Sequence, residues 1–192
     1  MNSNYFTYFP YTEHDLTNEG QTVKLTNLLR RFKIRSNVKN RVDVYSHYVI
    51  QSGDRPDTLA ERFYDTPALA WVILHFNDII DPVWDWPKFH QDFDNYIKGK
   101  YGSVPEAKAE VHEYRQILSN AFVKNDGTRV GQRYLVVDQT TYNSLAPASR
   151  QSVDKYTYEL EQNDKKRRIK ILDKQYLKSL QNEVKVILRN GV

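Results

Sequence analysis

The sequence contains no cysteine, few glycines and no recognisable catalytic motif. Because cysteine is absent, the chain can form no disulfide, no zinc site with thiolate ligands and no cysteine nucleophile. Seven of the 192 residues are glycine, and neither a phosphate-binding glycine-rich loop nor a Gly-x-Ser-x-Gly motif occurs. The five histidines show none of the i, i+4 pairing typical of zinc ligands. We therefore expect no enzymatic activity, no metal and no cofactor.

Long apolar runs are missing as well. The longest, Ala68 to Leu74, is far shorter than the ~20 residues that a membrane-spanning helix needs. The first residues lack the basic start and apolar core of a signal peptide, so we expect neither secretion nor membrane binding. Hydrophobic residues nevertheless make up 40% of the chain, which predicts a globular core of ordinary size.

Charge is segregated along the chain. Residues 24–41 hold seven basic residues and no acidic one, residues 54–98 hold nine acidic against four basic, and residues 150–192 hold eleven basic against six acidic. Such blocks indicate either contacts with complementary subunits or solvated faces. No recognition motif for nucleic acid accompanies the basic blocks, so we expect no nucleic-acid partner. Fourteen tyrosines and three tryptophans add side chains that favour protein interfaces.

Residues 1–41 are predicted to form an aromatic N-terminal arm followed by a basic helix. The arm has no clear period and is expected to lie on the core or on another subunit. A helix is predicted after the arm, because apolar residues recur at helical spacing at Leu25, Leu28, Leu29 and Phe32. This helix either docks on a partner or is a surface helix whose arginines are solvated. The candidate interface residues of this region are Tyr5, Phe6, Tyr8, Phe9, Arg30 and Arg31.

Residues 42–87 predict a compact strand–helix–helix module. A strand of β-forming residues between Arg41 and Ile50 ends at Gly53-Asp54, and Asp54 or Asp57 is expected to cap the first helix. Thr66 is expected to cap the second helix, and Asn77 suits a left-handed cap at its end. The predicted core of the module consists of Tyr48, Ile50, Gly53, Leu59, Phe63, Leu69, Val72, Ile73, Phe76 and Asn77.

The segment after this module is rich in aspartate and tryptophan. Asp78, Asp81 and Asp85 could be read as paired catalytic carboxylates, but their turn-rich setting favours caps and Asx turns. Trp84 and Trp86 are candidate interface residues, as is Trp71 in the second helix. Trp71 could equally belong to the core.

Residues 88–192 predict a helical hairpin, a β-hairpin and a C-terminal strand–helix. One helix is expected from Pro87 to Tyr101 and another from Pro105 to about Leu118. Residues 121–123 and 134–137 are expected to pair across a primed turn at Asn125-Asp126-Gly127. The remaining elements are a charged turn at residues 163–168, with Arg167 and Arg168 as interface candidates, a strand at residues 169–172 and a final helix capped by Asp173.

Residues 48–54, followed by Leu59-Ala60, Phe63-Tyr64 and Asn77, resemble the first part of a LysM module. That family's pattern is an aromatic and apolar strand, Gly-Asp, two helices and an asparagine. Two departures are evident. Arg55-Pro56-Asp57 enlarges the turn, and the Gly-Gln-plus-apolar strand that completes a LysM module is missing at its expected position. A similar string occurs only at residues 130–136.

The wider order of motifs is similar to that of one phage family. The chain resembles the baseplate wedge protein 53 family of T-even-like contractile-tailed bacteriophages. The resemblance lies in Trp71, Asn77-Asp78, Asp81-Pro82, Asp85-Trp86-Pro87 and the segments at 96–102 and 168–172. The resemblance implies an α+β fold with a LysM-like module that serves as an interaction fold. It also implies a structural role.

The resemblance also implies which partners the protein has. The protein would join wedge proteins to one another and toward the central hub, in multiple copies per virion, in a tail baseplate assembled in the host cytoplasm. The alternative is a LysM-type protein that binds peptidoglycan or another glycan. That alternative is disfavoured, because the chain has one such module, and Arg55-Pro56-Asp57 fills the turn where a sugar groove would begin.

Overall fold

The computed structural model describes residues 4–16, 18 and 20–190 and has a mixed helix and sheet architecture. The predicted α+β class is confirmed. In chain order the strands are β1 (Tyr11–Asp15), β2 (Thr22–Thr26), β3 (Tyr45–Val49), β4 (Val111–Ser119), β5 (Phe122–Val123), β6 (Arg129–Val130), β7 (Arg133–Val137), β8 (Arg150–Asp154) and β9 (Arg168–Leu172). The helices are α1 (Ser36–Lys39), α2 (Pro56–Tyr64), α3 (Ala70–Phe76), α4 (His90–Tyr101), α5 (Val104–Ala109), α6 (Gln139–Ser144), α7 (Lys155–Lys166) and α8 (Leu177–Asn190).

The chain forms two compact units. Unit 1 comprises residues 1–87 and 166–192, and unit 2 comprises residues 88–165. This division differs from the three segments predicted from the sequence, because the C-terminal strand and helix belong with the N-terminal half of the chain. None of the helices in the described ranges is long and apolar enough to cross a membrane.

Unit 1 is built around a strand–helix–helix–strand arrangement. Strand β3 pairs with β9 in antiparallel register, from Tyr45 opposite Leu172 to Val49 opposite Arg168. The ribbon is extended at both ends by Ile50 N–H donating to Arg167 O and Asp173 N–H donating to Val44 O, each at 2.8 Å. The return strand that the sequence lacks at its expected position is therefore supplied by β9. The relationship to LysM modules stays a prediction.

The predicted core residues of the module divide by burial. Gly53, with φ +89°, sits exposed in the turn after β3. Tyr48, Phe63 and Asn77 are half-buried. The fully covered residues are Ile50, Leu59, Leu69, Val72, Ile73 and Phe76.

Asn77 joins the second helix to the return strand. Its side-chain Nδ2 donates to Ile73 O and to Lys170 O, and its Oδ1 accepts from Lys170 N, all at 2.8 Å. The predicted left-handed cap at Asn77 is wrong, because its φ is −102°. The left-handed residue is the next one, Asp78, with φ +55°. Asn77 therefore ends α3 without a left-handed conformation and also joins it to β9.

Other caps in unit 1 differ in detail from the predictions. Arg55, not Asp54 or Asp57, is the N-cap of α2, and its N–H donates to the Thr58 hydroxyl at 3.0 Å. The Asp54 carboxylate instead accepts from Tyr48 Oη and Gln51 N, both at 2.8 Å. Thr66 precedes a 3₁₀ helix, Pro67–Leu69, that leads into α3. Asp173 caps the C-terminal helical segment as predicted, since its side chain accepts from Gln175 N.

The predicted basic helix between residues 22 and 35 is wrong. Residues 22–26 form strand β2, which pairs with β1 to make a two-stranded sheet. Val23 and Leu25 alternate with Lys24, and β-branched threonines flank them, so strand propensity prevails over the helical spacing of the leucines. The predicted irregular arm is likewise replaced by a 3₁₀ helix, Tyr5–Tyr8, and strand β1.

Unit 2 centres on a three-stranded antiparallel sheet in the order β7-β4-β8. The predicted helix from Pro105 to Leu118 is wrong, because α5 ends at Ala109 and β4 follows. The apolar residues of this segment have helical spacing and therefore predict a helix where the structure has a strand; they are Val111, Tyr114, Ile117 and Leu118. The residue that β4 buries is Arg115, a charged residue that a search for apolar periodicity passes over.

Arg115 is buried because its charge is fully partnered. Its guanidinium donates to both carboxylate oxygens of Glu161 at 2.9 and 2.7 Å and to Glu113 at 2.6 Å. The guanidinium carbon lies 4.0 Å from the centre of the Tyr134 ring. These hydrogen bonds raise the pKa of Arg115 despite its burial. The bidentate pair fastens helix α7 to the sheet.

The β-hairpin and the charged turn also differ from prediction. Phe122–Val123 pairs with Arg129–Val130 across the five-residue connection 124–128, in which Gly127 has φ +80°, so the turn is not a primed two-residue turn. Strand β7 pairs with β4 instead of closing this hairpin. Residues 163–166 continue helix α7, and the chain turns only at Arg167.

Helices α4 and α7 meet at a buried carboxylate. The Glu159 side chain accepts from Tyr96 Oη at 2.9 Å, Tyr101 Oη at 2.8 Å and Lys100 Nζ at 2.6 Å. Burial alone would raise the pKa of Glu159, but these three hydrogen bonds outweigh it and hold the pKa below its ordinary value. Beside them lies a small apolar cluster of Phe93 and Ile97. Unit 2 thus depends on polar networks as well as on apolar packing.

Substitution of Glu159 should reveal this dependence as acid sensitivity. Because the folded-state pKa is lowered, ionised Glu159 stabilises unit 2 above the ordinary carboxyl pKa of about 4.3 and loses that effect as the pH falls through the folded-state value. Glu159→Gln should destabilise unit 2 at pH 7 by about 1–3 kcal/mol. Amide hydrogen exchange of peptides from residues 88–165 measures both effects.

The matched control is Glu106→Gln, which changes an exposed carboxylate of the same unit. It should leave exchange protection at pH 7 unchanged. The variant Glu159→Gln should lose less protection between pH 6 and pH 3 than the unaltered protein does. Identical acid profiles for the two would show that Glu159 does not carry the acid response.

Candidate functional site

The predicted interface residues separate into buried and exposed sets. Tyr8, Phe9 and Trp71 are buried, each with 6% of its surface exposed. Tyr5, Arg30, Trp86 and Arg167 are half-buried. The exposed ones are Phe6, Arg31, Trp84 and Arg168.

Trp71 is the centre of an aromatic cluster that holds the N-terminal segment on unit 1. Its ring centre lies 5.4 Å from Tyr5, 5.7 Å from Tyr8 and 6.2 Å from Phe32, the last edge-to-face. Tyr5 also packs edge-to-face on Phe9 at 5.0 Å. The N-terminal aromatic residues therefore cover their own core, where Trp71 contributes to packing.

His75 completes this cluster as a half-buried polar group. Its Nε2 lies 3.1 Å from Tyr5 Oη, and its ring centre is 4.6 Å from that of Phe32. Burial and then the nearby Lys39 ammonium lower the pKa of His75, and Asp78 offsets this only in part. The imidazole is consequently neutral at pH 7 and can share one proton with the tyrosine hydroxyl.

Arg30 and Arg31 have different environments. Arg30 Nη1 donates to Leu188 O at 2.9 Å, in the last turn of α8, where a cation satisfies a terminal carbonyl and complements the helix dipole. Arg31 is exposed. Of the predicted pair, Arg30 is thus engaged within unit 1, and Arg31 is accessible to a partner.

Three exposed apolar side chains of unit 1 lie close together in sequence within residues 78–87, which we call the Trp84 loop. Ile80 is 91% exposed, Val83 69% and Trp84 60%. Ile80 and Val83 were not identified from the sequence, because a loop has no hydrophobic period. The available signal was their position between aspartates and prolines, where apolar side chains have no strand or helix to bury them.

Two aspartates give the Trp84 loop a fixed backbone. Asp81 Oδ1 accepts from Val83 N at 2.8 Å and Trp84 N at 3.3 Å. Asp85 Oδ2 accepts from Ile80 N at 3.2 Å and Asp81 N at 3.1 Å. The predicted Asx turn is confirmed for Asp81, whereas Asp85 accepts from N–H groups four and five residues before it. Their carboxylates are occupied by backbone N–H groups, which is the bonding of a structural turn and not of a catalytic pair.

The Trp84 loop is also anchored at its end. Lys166 Nζ donates to Trp84 O at 2.8 Å, and the Trp86 indole N–H donates to Asp54 O at 3.0 Å. Trp86 is therefore an anchor within unit 1, whereas the Trp84 ring extends toward solvent. A rigid loop that presents a tryptophan and two aliphatic side chains can bind a partner with little loss of conformational entropy.

Within residues 4–16, 18 and 20–190, histidine, aspartate and glutamate side chains nowhere gather in a group of three or more that could hold a metal ion. The chemistry offered by this surface is apolar contact and charge pairing.

Comparison with known proteins identifies the family. The sequence matches the family described as base plate wedge protein 53 over residues 1–187. The chain belongs to this family. It is also similar to the baseplate wedge protein gp53 of Enterobacteria phage T4, with 26% identity over 186 residues that cover 93% of each chain.

Membership in the base plate wedge protein 53 family confirms the resemblance seen in the sequence and the structural role it implied. The protein is a structural component of a phage baseplate wedge, and its place is the tail baseplate of the virion. Association with other baseplate components follows from that place. Surfaces such as the Trp84 loop are therefore candidates for those contacts.

Substitution of two tryptophans separates a role in the core of unit 1 from a role in contacting a partner. Trp71→Ala should lower the free energy of unfolding by about 3–5 kcal/mol, because it leaves a cavity among aromatic rings. Trp84→Ala should change it by less than about 1 kcal/mol, because most of the ring is exposed. Guanidinium-induced unfolding followed by circular dichroism measures both. Equal losses for the two variants would contradict this assignment of roles.

Proposed function

We propose that this wedge protein joins wedge proteins to one another and toward the central hub during baseplate assembly, with the Trp84 loop as one of its contact surfaces. The observation that carries the proposal is the exposure of Ile80, Val83 and Trp84 on a loop whose backbone is already fixed. Several copies act in each virion, and assembly takes place in the host cytoplasm. The protein acts by binding and has no catalytic function.

The composition of the Trp84 loop supports docking to a protein partner. Tryptophan is enriched among the residues that dominate interface energies, and such anchors act best when surrounding contacts exclude water. Ile80 and Val83 supply apolar neighbours, and Asp81 and Asp85 keep the three side chains on one short segment. A partner with an apolar pocket would cover surface that is now in contact with water.

Glycan binding is the second candidate function. The observation that favours it is the strand–helix–helix–strand order of β3, α2, α3 and β9, which is the order expected of a LysM-like module. Against it, Arg55 caps helix α2, which begins at Pro56, and an Arg55–Asp57 ion pair of 3.2 Å spans this turn. Pull-down on purified peptidoglycan should recover the protein at background level. Saturable binding would favour the glycan role.

Substitution in the Trp84 loop tests the assembly role directly. Trp84→Ala should reduce incorporation of the protein into phage particles at least about tenfold, since hot-spot tryptophans contribute about 2–4 kcal/mol. Incorporation is measured by mass spectrometry of purified particles relative to an unaltered baseplate protein. Phe122→Ala, which removes an aromatic ring that is 53% exposed in unit 2, is the matched control.

Stability measurements make the result specific to docking. Trp84→Ala protein should unfold at the same denaturant concentration as the unaltered chain, so that lost incorporation reflects a lost contact. Trp84→Phe, which keeps an aromatic ring, should restore part of the incorporation. Full incorporation of Trp84→Ala would overturn the role of the Trp84 loop.

A further inference from the structure

An open cleft of about 420 Å³ lies on unit 1, apart from the Trp84 loop tip. Its walls are the ends of α1 and α3 and one face of the β3–β9 ribbon, with Phe76 contributing an apolar patch. The polar residues that line it and carry the argument are Lys39, His47, Asn77, Asp78, Arg168 and Lys170. We call this the basic cleft.

Two lysines of the basic cleft are held in place by backbone carbonyls. Lys170 Nζ donates to Lys39 O at 2.6 Å and lies 4.5 Å from the centre of the Tyr45 ring. Lys39 Nζ donates to His75 O at 3.1 Å and pairs with Asp78 at 2.6 Å. Their ammonium groups are thus positioned before any ligand arrives, which lowers the entropic cost of binding an anion.

The β-ribbon places the other basic groups beside them. Lys170 and Arg168 are two residues apart on β9 and share one face, and His47 lies directly opposite Lys170 on β3. Within the described part of the chain, neither Arg168 nor His47 has a side-chain hydrogen bond, although His47 packs edge-to-face on Tyr45 at 5.2 Å. Lys170 uses one of its three N–H donors on Lys39 O, which leaves two for a ligand.

The balance of charge leaves the cleft cationic. Lys39, Arg168 and Lys170 supply three positive charges, and Asp78 supplies one negative charge that Lys39 already pairs. The basic cleft therefore has more hydrogen-bond donors on cations than acceptors on anions, together with an apolar patch. Such a site selects an anion that can accept from a guanidinium and an ammonium together, which a carboxylate does well.

We propose that the basic cleft binds an acidic protein segment, whose glutamate or aspartate carboxylates pair with Arg168 and Lys170. The partner is a neighbouring protein of the assembly, so the inference rests on the docking role proposed above and adds a second contact surface to it. The Trp84 loop offers apolar contact, whereas this cleft selects a partner by charge and hydrogen bonding.

A protein segment fits the basic cleft better than nucleic acid or a membrane does. Nucleic acid is held by a run of cations along a phosphate backbone, whereas this cleft has three cations in one recess and a carboxylate at its rim. Membrane binding by charge draws on clusters of four or more exposed basic residues on one surface. Short acidic segments need only the few donors present here.

Binding of a hexaglutamate peptide to the full chain tests the proposal. Titration followed by amide NMR shifts should perturb residues of the basic cleft, Lys39, His47 and Lys170 among them, and affinity should fall as salt screens the charges. Arg168→Glu should weaken binding on the order of tenfold, because it replaces a cation with a repelling charge. Arg189→Glu, an exposed arginine on α8, should change it less than about twofold.

If Arg168→Glu fails to fold, Arg168→Gln replaces it and should still weaken binding severalfold. Perturbations confined to other surfaces, or equal affinity for Arg168→Glu and Arg189→Glu, would overturn it. Tighter binding of a short DNA duplex or of phosphatidylglycerol vesicles at the same cleft would overturn the choice of a protein partner. Particle incorporation of Trp84→Ala, which tests the docking role, leaves this peptide result unaffected.

Discussion

The reciprocal hydrogen bonding between Asn77 and the backbone of Lys170 holds together unit 1. The asparagine side chain occupies both backbone groups of one residue of β9 and also the carbonyl of Ile73, so one amide ties helix α3 to a strand 93 positions away in sequence. Buried polar groups left without such partners would cost free energy. Antiparallel pairing of β3 with β9 adds a ladder of backbone bonds. The helices α2 and α3, which are short, depend on this closure.

Both proposed contact surfaces are fixed by the same closure. Lys166, whose ammonium anchors the Trp84 carbonyl, immediately precedes the turn into β9, and Asp78 begins the Trp84 loop one residue after Asn77. The basic cleft uses the outward face of the β3–β9 ribbon, with Arg168 and Lys170 on β9 itself. A baseplate protein that presents binding groups on a preformed frame loses little entropy on docking. The aromatic cluster around Trp71 stabilises the other side of α3.

Local patterns predicted individual elements better than their partnership. Apolar spacing or capping residues within a few positions of sequence predict several elements: strand β3, helices α2 and α3, strand β9 and the cap at Asp173. Their pairing was missed because the return strand is separated from β3 by the whole of unit 2. The apolar spacing in β4 predicts a helix, because the residue that this strand buries is Arg115, whose partner Glu161 is remote in sequence. Trp84 was found from its residue type, but Ile80 and Val83 acquire meaning only from the exposure of their loop.

Native-state amide hydrogen exchange of Lys170 tests most directly whether β9 closes unit 1. Its N–H donates to Asn77 Oδ1, so exchange should require opening of unit 1 as a whole and should be as slow as that of the most protected amides of α2 and α3. Asn77→Ala should then accelerate exchange in both helices as well as in β9. Rapid exchange at Lys170 while α2 and α3 remain protected would contradict the claim that β9 closes this unit.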